Sequence, residues 1–177
     1  MRARFGSRAA AIVAALVLLL LAAGCAMPGP ADGASPGQGG AWSGCGPASA
    51  VTGVSITRPH SALGPPGGIA ALSASSRDAT ASRRLYRAAC RLVEVEAHPK
   101  AVSCPADFGV VYKIRFRSAR SSPATATYAA TGCGSLAMRT AAGSRSTMVI
   151  GSRAAALEPA FRSALAGILH LSVDNLA

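Results

Sequence analysis

The sequence has 177 residues, with 18 Lys+Arg against 7 Asp+Glu and a formal net charge of +11. That length suits one domain of ordinary size. Seven acidic residues and three histidines leave little material for a hydrolase, while the excess of cations favours anionic neighbours such as lipid head groups or wall polymers.

Arg2, Arg4 and Arg8 precede an uninterrupted apolar run from Ala9 to Ala23, which ends in Leu21-Ala22-Ala23-Gly24-Cys25. A cationic start followed by a run too short for a stable membrane span reads as a secretory signal peptide over residues 1–24. The small residues ahead of a cysteine resemble the lipobox of bacterial lipoproteins, with Ala22 where Leu is commonest and Leu21 one place earlier. That resemblance implies diacylation of the Cys25 thiol and cleavage before it. It also implies a lipid-anchored protein on the extracytoplasmic face of the cell membrane. Residues 25–44 are rich in Gly, Pro, Ala and Ser and cannot build a core. As a flexible tether they span about 25 Å on average. Trp42, the only tryptophan, is expected to pack on the edge of a domain covering residues 45–177.

Within that domain, Val54 and Ile56 alternate with Ser55 and Thr57, which predicts a half-buried strand over Val51–Arg58 that ends at Pro59. Gly64-Pro65-Pro66-Gly67-Gly68 is an exposed loop, followed by a short strand over Ile69–Ala74. Asp78 is placed to cap a helix over residues 79–91. Ala81, Leu85, Ala88, Ala89 and Leu92 fall on its apolar face, and Arg83, Arg84, Arg87 and Arg91 on the other. Those four arginines are the candidate anion-binding residues; a wet face of an amphipathic helix is the plainer reading. Val93-Glu94-Val95-Glu96 predicts a short extended segment with both carboxylates on one side. His98-Pro99-Lys100 then turns the chain toward Cys104-Pro105.

Gly109–Arg117 is the clearest strand, with Val110, Tyr112, Ile114 and Phe116 on the core side and Val111, Lys113, Arg115 and Arg117 opposite. Thr125–Thr131 is predicted to return antiparallel with Ala126, Tyr128 and Ala130 inward. Leu136 with Met138, and Met148 with Ile150, mark two further strands around Ala141-Ala142-Gly143. Glu158-Pro159 opens the last helix, whose stripe of Leu157, Phe161, Leu165, Ile168 and Leu169 needs a sheet to cover. His170 stands near its end.

Cys45, Cys90, Cys104 and Cys133 remain once Cys25 is set aside, an even set in an oxidising compartment. Three pairings are possible. Cys90 and Cys104 close the shortest loop, worth about 3 kcal/mol of lost unfolded-chain entropy, so Cys90–Cys104 and Cys45–Cys133 are expected. No short Cys or Cys/His spacing points to a metal, and no cofactor is called for. His60, His98 and His170 lie in unrelated contexts, and Ser135 after Gly132-Cys133-Gly134 has no base partner.

Ile56-Thr57-Arg58, Leu85 to Cys90, Cys104-Pro105-Ala106-Asp107, the run Gly109 to Phe116, and Gly132-Cys133 occur in an order that resembles a domain of unknown function. It is carried by small secreted and lipid-anchored proteins of high-GC Gram-positive bacteria. Leu92 to Glu96 stands where those proteins carry a Pro-rich segment. The resemblance implies a structural framework and no activity. The expected fold is α+β, a small antiparallel sheet covered by two helices and stapled by disulfides. The expected function is a lipid-anchored, non-enzymatic envelope binding module. Its partners would be membrane lipid through Cys25 and an anionic wall polymer or an envelope protein, not nucleic acid. The alternative is a secreted protease inhibitor.

Overall fold

A period-two pattern buries alternate side chains of a strand, and the chain uses it to make one sheet with two unlike faces. The computed structural model describes residues 44–94, 103–119, 123–150 and 152–176, all within the compact unit Gly39–Ala177. Cys25, the signal, Trp42 and the tether before residue 44 lie outside the described residues, as do Glu96, His98 and Lys100. The elements are β1 (Val51–Arg58), β2 (Leu72–Ser76), α1 (Ala79–Glu94), β3 (Val111–Ser118), β4 (Ala124–Ala129), β5 (Ser135–Thr140), β6 (Gly143–Met148) and α2 (Glu158–Leu169). The strands pair antiparallel in the order β2-β1-β3-β4-β5-β6. The fold is therefore α+β: a six-stranded antiparallel sheet packed with two helices and stapled by two disulfides.

Val54, Ile56, Tyr112, Ile114, Phe116, Tyr128, Leu136 and Met138 point from the strands into the core, where Leu85, Leu92, Phe161 and Leu165 meet them from the helices. Tyr86 of α1 packs edge-on against Phe116 at 5.1 Å, and Phe161 of α2 packs edge-on against Tyr128 at 4.9 Å. On β1, Val51 and Val54 are both buried, because a bulge between Val51 and Gly53 resets the alternation. Gly53 is required there: a Cβ would stand 2.9 Å from the Ser76 carbonyl oxygen of β2.

Several boundaries move from their sequence expectation. The second strand starts at Leu72; Ile69 instead pairs across the Gly-Pro loop with Ser61 through two backbone hydrogen bonds. Asp78 caps α1 as expected, its Oδ1 accepting from the Thr80 and Ala81 amides at 2.7 and 3.3 Å. The helix continues through Val93 and Glu94, so these two residues are helical, and Val93 is buried beside Leu92. Its buried face also takes in Tyr86 and Cys90, while Ala81 and Ala88 are half-buried. On β6 the inward residue near the end is Thr147, Met148 faces outward, and Val149 just past the strand is buried. The tight turn at Ala141-Ala142, closed by the Thr140–Gly143 pair, sets that register, and a shift of one residue exchanges the two faces of a strand.

The disulfides are Cys45–Cys90 and Cys104–Cys133, which corrects both expected pairs. Closure entropy varies only with the logarithm of loop length. Separations of 45 and 29 therefore cost nearly the same in sum as the expected 14 and 88, and position decides. Cys90 sits on the core side of α1, 6.1 Å from Cys45 between Cα atoms. Cys104 lies 4.7 Å from Cys133 at the β4–β5 turn. The Met138 thioether touches both sulfurs of the first bridge at 4.0 and 3.9 Å.

The face turned away from the helices carries Val111, Ala129, Ser135 and Met148 in one cross-strand row from β3 to β6, and two longer rows beside it. One runs Ser75, Ser55, Arg115, Thr125, Arg139, Ser144 from β2 to β6. The next runs Ser73, Thr57, Lys113, Thr127, Ala137, Ser146. No Asp or Glu occurs on any strand.

Phe116 and Phe161 are 1% and 0% exposed, so Phe116→Ala and Phe161→Ala are each expected to destabilise the domain by about 3–5 kcal/mol. Denaturant or thermal unfolding checks this; midpoints equal to wild type would mean the faces are wrongly assigned.

Candidate functional site

Helical spacing groups four arginines on α1, and the fold separates one from the rest. Arg83 is half-buried, and its Nε donates to the Val51 carbonyl of β1 at 3.1 Å. It ties the helix to the sheet. Arg84, Arg87 and Arg91 are exposed and line a shallow groove with Ala88 of α1 and with Leu157 and Ala160 at the start of α2. Arg87 Nε donates back to the Arg83 carbonyl at 3.3 Å, which holds its stem along the helix. The groove thus has Ala88, Leu157 and Ala160 as its apolar floor and three arginines at its rim.

The motif residues of the chain turn out to be fastenings. Arg58 ends β1, donates from Nη1 to the Tyr112 hydroxyl at 2.8 Å and from Nε and Nη2 to the Ala70 carbonyl. Asp107, of Cys104-Pro105-Ala106-Asp107, accepts from the Thr131 hydroxyl at 2.7 Å and the Gly109 amide at 2.8 Å. Thr131 Oγ1 accepts in turn from the Phe108 and Val110 amides at 3.2 and 3.3 Å. Gly132 turns beside them at φ 69°, where a Cβ would press to 3.2 Å from that of Asp107. With Cys104–Cys133 these contacts clasp the lead-in of β3 to the β4–β5 turn. The Thr131 hydroxyl, then the Gly109 amide, holds the Asp107 carboxyl below its ordinary range.

Three buried tyrosines also have shifted hydroxyls, and each is engaged in the fold. Burial first, then the Glu158 carboxylate, pushes the Tyr128 hydroxyl far above its usual range; it donates to Glu158 Oε1 at 2.5 Å. This bond fastens the first turn of α2 to β4, and nothing in the sequence spacing announces it. Burial also raises Tyr112, whose hydroxyl donates to the Leu176 carbonyl at 3.0 Å, and Tyr86.

Glu94 ends α1 and is exposed. His60 lies beside the Gly-Pro loop, and His170 is the left-handed cap that ends α2, at φ 54°. Ser135 opens β5 on its exposed side. Among the described residues no three His, Cys, Asp or Glu side chains come together as a metal-binding group, and no helix is long and apolar enough to cross a membrane. The cations missed as a group are Lys113, Arg115, Arg117 and Arg139 on the open sheet face. Their alternation was visible strand by strand, but the pairing that assembles them was not. The chain matches no protein-family profile, no curated protein and no solved structure.

Because the Asp107 pKa is depressed in the fold, its contribution is present above the unfolded carboxyl pKa and fades as pH falls through the folded value. Asp107→Ala is therefore expected to lower Tm at neutral pH, with the gap to wild type closing toward strongly acid pH. A gap independent of pH would contradict the clasp.

Proposed function

We propose that this chain is a lipid-anchored protein of the extracytoplasmic face of the cell membrane, whose domain is a non-enzymatic binding module. One observation carries the reading. Of five cysteines, four are joined inside the domain, which leaves Cys25 outside both bridges. A leftover cysteine in a disulfide-bonded exported chain needs another fate. Cys25 stands directly behind a cationic start, an apolar run and small residues, which is the setting for acylation.

The consequence is physical. Two acyl chains give stable membrane attachment where one gives only marginal binding. The short stretch of sequence between Cys25 and the domain limits how far the domain stands from the head groups. There Arg84, Arg87 and Arg91, with no carboxylate on α1 before Glu94, meet anionic lipid, at about 1 kcal/mol for each cation close to the surface. The shifted carboxyl and hydroxyls of the domain are all engaged in holding elements together, which supports binding over catalysis.

Cys25→Ala is expected to abolish incorporation of a palmitate analogue and to move the protein out of the detergent-extracted membrane fraction. An unmodified mature N-terminus at another residue in wild type contradicts the anchor. Changing Arg84, Arg87 and Arg91 together to Gln is expected to weaken binding to phosphatidylglycerol vesicles at low salt, with Tm little changed. Vesicle binding equal to wild type would make the stripe only a solvated face.

A further inference from the structure

We infer that the uncovered face of the sheet is a docking platform for a linear polyanion in which phosphate groups alternate with hydroxyl-bearing units. The inference rests on the reading of the domain as a binding module and assigns it a second surface, on the side of the sheet away from α1 and α2.

Arg115 and Arg139 occupy one cross-strand row with Thr125 between them, and Lys113 stands in the next row beside Thr127. Strand spacing puts the backbones of Arg115 and Arg139 about 10 Å apart, and Lys113, Arg115 and Arg117 follow β3 at about 7 Å intervals. All four cations are exposed, as are Thr125 and Thr127 between them. Ser and Thr fill most of the remaining positions from β2 to β6. The strands contribute no carboxylate to neutralise the cations.

The chemistry of the surface selects its occupant. The depression on this face, lined by Thr125, Thr127, Ala137, Arg139 and Ser146, is open to solvent, so it does not enclose a small molecule. No aromatic residue stands in either cross-strand row, so the stacking that holds nucleic-acid bases is missing. The two cationic rows hold no apolar side chain larger than Ala137; the adjoining row exposes Met148, but Ala129 and Ser135 separate it from Val111, so the face has no contiguous hydrophobic centre for a protein partner or a bilayer. What the rows do offer is a grid of cations spaced by hydroxyls. Guanidinium and ammonium groups pair with phosphates, and Ser/Thr hydroxyls both donate to and accept from polyol hydroxyls. A polymer with both groups along its length matches both.

The test uses the full chain held in neutral detergent and poly(glycerol phosphate) as the probe, with neutral dextran and phosphatidylglycerol vesicles as comparisons. Changing Lys113, Arg115 and Arg139 together to Gln is expected to weaken polymer binding by about tenfold or more and to flatten its salt dependence, as lost phosphate contacts do. Thr127→Glu leaves every cation in place and is also expected to weaken it, which keeps the test open if the triple variant folds poorly. The Arg84, Arg87 and Arg91 triple is expected to lose vesicle binding and keep polymer binding. Polymer affinity unchanged in the sheet variants, lost instead in the helix variant, or matched by dextran overturns the inference. Failure of Cys25 acylation would overturn the anchor and leave this solution measurement unaffected.

Discussion

The sheet buries one face only, and everything else in the domain answers to that constraint. Two helices cover the side where Tyr112, Ile114, Phe116 and Tyr128 converge. Fully burying large apolar side chains contributes about 1.5–3 kcal/mol each, and in a domain of this size few are available. The fold therefore concentrates its aromatics, with Tyr86 on Phe116 and Phe161 on Tyr128. The opposite face is left mostly to Ser, Thr, Ala, Arg and Lys, with Val111 and Met148 in its edge row, and it is free to differ from a mere solvated surface because the core makes no demand on it.

The two bridges and the polar fastenings divide the work of holding that one-sided arrangement. Cys45–Cys90 fixes α1 to the segment that enters β1, with Met138 of β5 against its sulfurs. Arg83 adds a second tie between the same helix and β1. Cys104–Cys133 and the Asp107–Thr131 pair fasten the entry to β3. The Tyr128–Glu158 bond fastens the start of α2. Each tie joins segments distant in sequence, where unfolded-chain entropy opposes contact most.

That division explains which features were legible in the sequence. β1, β3 and α2 announce themselves because their apolar residues recur with the period of the element that buries them, and Asp78 marks the start of α1 through its own cap. The alternating look of Val93 and Glu94 misleads, because the need to bury Leu92 and Val93 together carries the helix past Arg91. On β6 one residue decides the face, and the turn at Ala141-Ala142 chooses it. The cysteine pairing was hidden because loop length barely distinguishes the alternatives. Arg83 looked equivalent to Arg84, Arg87 and Arg91 until β1 supplied its acceptor. The open face escaped notice because Arg115 and Arg139 lie on strands separated by β4, and only the register makes them neighbours.

The resulting picture has two cationic surfaces with different chemistry: a groove with an apolar floor beside α1, and a hydroxyl-rich grid on the sheet. The measurement that most directly tests this is arginine-directed dicarbonyl labelling of the full chain, read residue by residue by mass spectrometry with and without poly(glycerol phosphate). Polymer is expected to protect Arg115 and Arg139 while Arg84, Arg87 and Arg91 label as in the free protein. Protection confined to the three helix arginines, or none at any position under conditions where the polymer is bound, would contradict it.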